Sequence, residues 1–235
     1  MAAIIDYGMG NLFSVKHACL SVGLKGVLTS SEEKIRSADA VILPGVGAFP
    51  DAMNALRDLG LSSVLREIAG MEKPFLAICL GMQLLMSKSM EFGCHEGLDI
   101  IKGEVKHFGN PVDQLGGRLK VPEIGWNRIY KSAHKENSDM WSETLLDGLE
   151  GGEYMYFVHS FYADPQEKDI VLSESQYGNI RFCSSLRYKN IFACQFHPER
   201  SALSGLKIYK NFALSTRRSK GDRYREDPGS AIRTA

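Results

Sequence analysis

The chain has no surplus charge of either sign: Lys plus Arg and Asp plus Glu both number 28, and aromatic residues make up 9%. A balanced chain has no broad field with which to hold nucleic acid or an anionic membrane, so neither is expected as a partner. It also lacks paired cysteines. Cys19, Cys79, Cys94, Cys183 and Cys194 are odd in number and widely spaced, with no Cys-x-x-Cys and no Cys/His cluster at metal-ligand spacing. They read as reduced thiols of a cytoplasmic protein, with no disulfide frame and no metal. No apolar run approaches the about 18 residues that span a bilayer. The start, Ala2-Ala3-Ile4-Ile5-Asp6, has no basic region ahead of an apolar one, so an unexported protein is expected. Repeats and low-complexity blocks are also absent.

What the chain does have is length and alternation. A single domain of 235 residues buries roughly 70 to 75% of its unfolded surface and needs no staple. Short apolar runs at Ile4-Ile5, Val27-Leu28, Val41 to Leu43 and Phe75 to Ile78 alternate with amphipathic stretches at 12–22 and 31–38. Such βαβ repetition predicts an α/β fold: a mostly parallel central sheet flanked by helices, with reacting groups at the carboxyl ends of strands. Ser30 to Glu33 offers a capping box, and Asp51 precedes the helical pattern Met53, Leu56, Leu59. From Leu98 the pattern turns β-rich, with strands expected at 100–108, 128–131, 154–161, 170–174, 181–187 and 191–196. Tyr177-Gly178-Asn179 supplies a turn, and a closing helix over 201–215 turns Leu203, Leu206, Ile208, Tyr209 and Phe212 inward. Residues 1–216 are expected to form the domain. The charged, apolar-poor stretch 217–235 reads as a disordered tail.

Chemistry concentrates at a few points. Phe75-Leu76-Ala77-Ile78-Cys79-Leu80-Gly81 ends an apolar run on a cysteine with small residues two before and two after it. A nucleophile on a tight strand-to-helix turn requires that spacing, because the backbone crowds it on both sides. Taken alone, Cys79 equally fits a small hydrophobe closing a core strand. Far downstream, Gln195-Phe196-His197-Pro198-Glu199 ends a second apolar run. On an extended backbone His197 and Glu199 share a face, so the carboxylate can orient the imidazole. With nucleophile, base and orienter all at strand ends, covalent acyl transfer is the favoured chemistry, the imidazolium and a helix N-terminus helping to form the thiolate. Pro44-Gly45-Val46-Gly47 leaves a third strand at the same edge. The Val46 and Leu80 amides then suit an oxyanion hole, although a plain turn also fits. His17, His95, His107 and His134 have no matching partners. Tyr154 to Ser160 reads as a strand holding a core histidine. Asp6 to Asn11 is a glycine loop without a phosphate-cradle pattern.

These residues resemble the class I (triad) glutamine amidotransferases. Cys79-Leu80-Gly81-Met82-Gln83 and His197-Pro198-Glu199 carry the resemblance. Pro44 to Phe49, Ile124-Gly125-Trp126-Asn127 and Tyr156 to Ser160 narrow it to similarity with the glutaminase subunit of imidazole glycerol phosphate synthase. The resemblance implies hydrolysis of L-glutamine through a glutamyl thioester on Cys79, with His197 as base and acid and Glu199 as orienter, and without a cofactor. It implies oxyanion binding at Gly45 to Gly47 with Leu80, and substrate binding by Gln83, Tyr156, Val158, His159 and Ser160. Ammonia would pass to a (β/α)₈ barrel synthase subunit in a heterodimer serving histidine biosynthesis, with Asn11, Glu123, Trp126 and Arg200 at the interface. The family commonly has histidine where Glu123 stands, lysine where Arg200 stands and glycine where Ala77 stands. The first two departures change charge or its geometry on the surface expected to face the synthase. They leave open a paralogue that supplies ammonia for amidination of a surface-polysaccharide sugar. A free-standing cysteine hydrolase is the other alternative.

Overall fold

The computed structural model describes residues 1–134 and 140–219. Its strands are β1 (Ala2–Ile5), β2 (Gly26–Thr29), β3 (Ala40–Leu43), β4 (Phe75–Ile78), β5 (Lys88–Ser89), β6 (His95–Glu96), β7 (Gly103–His107), β8 (Glu123–Lys131), β9 (Glu153–His159), β10 (Phe161–Pro165), β11 (Val171–Tyr177), β12 (Ile180–Tyr188) and β13 (Ile191–Cys194). The helices are α1 (Leu12–Ser21), α2 (Glu32–Ser37), α3 (Phe49–Asp58), α4 (Leu61–Gly70), α5 (Leu80–Leu84) and α6 (Ala202–Arg218).

Among the described residues, nine strands form one sheet in the order β2-β1-β3-β4-β13-β12-β11-β8-β9, and β10-β7-β5-β6 form a smaller one. The large sheet is parallel from β2 through β13 and antiparallel beyond it. β1, β3, β4 and β13 are buried along their whole length, which is why they read as continuous apolar runs rather than alternating ones. Their alternate residues feed two cores. Ala3, Ile5, Val41, Leu43, Phe75 and Ala77 pack with α2, α3 and α4 on one face. Ala2, Ile4, Ala40, Ile42, Leu76 and Ile78 meet Val15 and Cys19 of α1 and Ile208, Tyr209 and Phe212 of α6 on the other.

Local expectations are corrected in three places. Ser31, not Ser30, caps α2, its hydroxyl accepting from the Lys34 amide, so no glutamate returns the bond. α3 begins at Phe49 with Ala48 as its cap, which puts Asp51 inside the first turn. Leu203 is 82% exposed rather than inward, because the buried stripe of α6 runs through Gly205, Ile208, Tyr209, Phe212, Ala213 and Thr216. α6 also carries Arg217 and Arg218, the first residues of the expected tail, while 220–235 lie outside the described residues. No described helix is long and apolar enough to cross a membrane.

Candidate active site

β4 lies between β3 and β13, so three strand ends meet at one sheet edge. The residue after β4 is Cys79, with φ 54° and ψ −112°. A non-glycine residue in that region is strained and must be held by its surroundings. The Cys79 amide donates to the Cys194 carbonyl at 2.7 Å, and its carbonyl accepts from the Met82 amide at 2.9 Å. The turn is also tightly packed. A Cβ on Gly81 would sit 2.0 Å from the Leu43 carbonyl oxygen, and one on Gly45 would sit 2.9 Å from the Gly81 nitrogen. The glycine two residues after the nucleophile is therefore required by contact with β3.

Parallel pairing of Cys194 with Ile78 brings the 195–199 segment to the same edge. His197 is extended, but Glu199 lies in the 3-10 turn Pro198–Arg200. The carboxylate thus reaches the ring by a turn and not along a strand face. His197 Nδ1 and Glu199 Oε1 are 2.8 Å apart, with side chains 4% and 1% exposed. The His197 amide donates to the Tyr156 carbonyl at 2.8 Å and the Ser201 hydroxyl to the His197 carbonyl at 2.7 Å, which fixes the backbone. Burial disfavours the imidazolium, yet the Cys79 charge and the hydrogen-bonded Glu199 carboxylate together outweigh it and push His197 up to about 10. Because Nδ1 is taken by Glu199, the buried Nε2 is the atom left for the sulfur. Nε2 has no partner within strict hydrogen-bond geometry, so its coupling to Cys79 is chiefly electrostatic in this conformation.

A cleft of about 240 Å³ opens beside the sulfur, lined by Val46, Gly47, Cys79, Leu80, Gln83, Glu91, Pro122, Val158, His159, Ser160 and Phe161. It gathers most of the residues expected to hold substrate or oxyanion. Gly45 and Tyr156 are the exceptions and do not line it. β9 turns Met155, Phe157 and His159 into the core, and Tyr156 lies on the opposite face between Trp126, at 6.0 Å edge to face, and the Arg200 guanidinium, 4.4 Å above its ring. Trp126 is 53% exposed there. Asn11 caps α1 without a side-chain bond.

Glu123 requires a correction. It is 4% exposed, not a surface residue. Its Oε1 accepts from Asn127 Nδ2 at 2.7 Å, and its Oε2 lies 3.1 Å from His159 Nε2. Pairing of Glu123 with His159 across β8 and β9 puts the carboxylate inside.

Two residues in this region carried no sequence expectation. Glu91 lines the cleft and accepts from the Phe49 amide at 2.8 Å; among the lining residues it is the sole carboxylate. Gln195 is fully buried, and its Nε2 lies 3.6 Å from the Cys79 sulfur. Its place two residues before His197 in the motif is the signal for it in the sequence.

The chain belongs to the class-I glutamine amidotransferase family, whose model it matches over residues 3–216. Among curated proteins it is 45% identical over 213 residues to imidazole glycerol phosphate synthase subunit HisH of Geobacter metallireducens, covering 91% of this chain and 97% of that one. It is 46% identical over 210 residues to the HisH of Aquifex aeolicus, covering 89% and 94%. Two solved structures have the same fold. A glutamine amidotransferase matches with a TM-score of 0.66 at 16% identity over 91% of this chain and 98% of that one. PurLQS from Thermotoga maritima matches with 0.63 at 19% over 92% and 96%.

Proposed function

We propose that this chain hydrolyses L-glutamine to glutamate and ammonia as the glutaminase subunit of imidazole glycerol phosphate synthase in histidine biosynthesis. The observation that carries this reading is the meeting of Cys79, His197 and Glu199 at one strand edge in a chain that matches HisH relatives over about nine-tenths of its length.

The chemistry follows from the geometry. The Cys79 thiolate attacks the side-chain amide carbon of glutamine, forming a carbon–sulfur bond and an oxyanion. The Leu80 amide, at the start of α5, and the Val46 amide, at the cleft wall, are the donors for that oxygen. One such donor is worth about 10² to 10³ in rate. His197, carrying its proton against Cys79 and Glu199, gives that proton to the leaving nitrogen and ammonia departs. Water then gives a proton to His197 and attacks the thioester carbonyl, and the carbon–sulfur bond breaks to release glutamate. Glu199 keeps Nδ1 occupied throughout, so only Nε2 exchanges protons. Glu91 is placed to meet the α-ammonium of glutamine, since it supplies the single anion of the cleft lining.

Ammonia passes to a synthase subunit, a (β/α)₈ barrel bound as a heterodimer in the cytoplasm. Trp126, Tyr156, Arg200 and Asn11 supply exposed or half-buried groups for that contact. With Glu123 inside the fold, its difference from the family's histidine offers no support for a different partner. Rapid quench of the complex with glutamine, followed by mass analysis, should find one glutamyl group on the peptide containing Cys79. Steady glutamate formation with that peptide never modified would sink the thioester route.

A further inference from the structure

Cys79 has two polar neighbours besides His197, and they act in opposite senses. The Val158 carbonyl oxygen lies 3.9 Å from the sulfur and can only accept, so it favours the thiol. Gln195 Nε2 lies 3.6 Å away and donates, so it favours the thiolate. The direction in which the Gln195 amide points therefore matters, and the surrounding bonds fix it. The Phe161 carbonyl oxygen accepts from Gln83 Nε2 at 2.8 Å. A carbonyl cannot donate, so nitrogen and not oxygen of the Gln83 amide faces Phe161. The same nitrogen lies 3.1 Å from Gln195 Oε1. With its oxygen held by Gln83, Gln195 has its nitrogen left for Cys79. Both amides are enclosed, Gln195 at 0% and Gln83 at 5% exposure, so water does not compete for these bonds.

The geometry points to Gln195 as a further catalytic residue, a fixed N–H donor to the nucleophile's sulfur, with Gln83 as the positioning residue that sets its orientation. This rests on the proposed glutaminase reaction for its purpose, but the sulfur contact is measurable without turnover. The Gln83 amide nitrogen is then committed to the Phe161 carbonyl and Gln195, which leaves its oxygen for substrate in the cleft.

The test is the pH dependence of alkylation at Cys79 in the full-length chain. Iodoacetamide is the probe, and peptide mass mapping separates Cys79 from the other four thiols. A bond from a neutral donor to a charged acceptor favours the thiolate by about tenfold, one pH unit. Gln195→Met, which keeps the length and loses the donor, should move the Cys79 alkylation profile up by about one unit. Gln83→Met should move it in the same direction by less. An unmoved profile in Gln195→Met would overturn the proposal. If Gln195→Met does not fold, an unmoved profile in Gln83→Met does so. An upward shift in a protein that never hydrolyses glutamine, even with its synthase, would keep the donor and overturn the glutaminase reading instead.

Discussion

His159 Nε2 and Glu123 Oε2 stand 3.1 Å apart with their side chains 2% and 5% exposed. His159 Nδ1 is already committed to the Phe161 carbonyl at 2.8 Å, where it must donate. Nε2 facing a carboxylate is favourable only if one proton lies between them, on the ring or on the carboxyl. The angle is outside hydrogen-bond geometry, so the attraction is mainly electrostatic. Glu123→Met keeps the length of the side chain and removes both oxygens, leaving His159 Nε2 without its carboxylate and Asn127 Nδ2 with the Gln176 carbonyl alone. The variant should lose about 1 to 3 kcal/mol of stability in denaturant titration, as for a buried polar atom left without its match. An unchanged midpoint would show that the pair contributes nothing.

His197 offers a pH prediction with a definite sign. Its value in the folded chain is raised from 6.5 to about 10, against burial and in favour of Cys79 and Glu199. The stability it contributes is then fully present below about 6.5 and is lost as pH rises through about 10. Removing the sulfur charge takes away the leading favourable influence and leaves burial in place. In Cys79→Ser the imidazole should therefore titrate at clearly lower pH than in the wild type, as read by NMR of the ring.

The elbow should resist the smallest possible enlargement. Gly81→Ala drives a methyl against the Leu43 carbonyl, a backbone atom of β3 that cannot rotate away. Overpacking of this kind costs about 1 to 3 kcal/mol, and glutamine hydrolysis should fall with it because the Leu80 amide shifts. Gly70→Ala is the control, since nothing lies within 4 Å of its added Cβ. Its unfolding midpoint should stay or rise slightly.

Glu199→Gln keeps the shape of the side chain and removes the charge 2.8 Å from Nδ1. Glutamine hydrolysis by the complex should fall by about 10² to 10⁴, with ammonium-driven synthesis untouched. A loss of less than tenfold would contradict the orienting role.

The parts legible in the sequence are those written in unbroken apolar runs or in contiguous motifs. The apolar run Phe75 to Ile78 coincides with β4, Phe75–Ile78, because a strand covered on both faces admits no polar residue. Cys79 and the 197–199 segment announce themselves by neighbours whose types are constrained locally. What depended on a cross-strand partner was hidden. Glu123 is charged and begins a strand, so nothing nearby signals burial; His159 on β9 accounts for it. Tyr156 sits in an apolar run where inward and outward residues are equally aromatic, and only the pairing of β8 with β9 sets its face. The Gln195 contact required the parallel register of β13 on β4. Leu203 fails for a simpler reason: the apolar stripe of α6 begins one turn later.

The most direct test of the central claim is synthesis by the complex of this chain with its synthase subunit, driven either by glutamine or by an ammonium salt, with Cys79→Ala in place of the wild type. The account predicts that glutamine-driven synthesis disappears while ammonium-driven synthesis continues at the wild-type rate. Glutamine-driven synthesis that survives the loss of the Cys79 sulfur would contradict it.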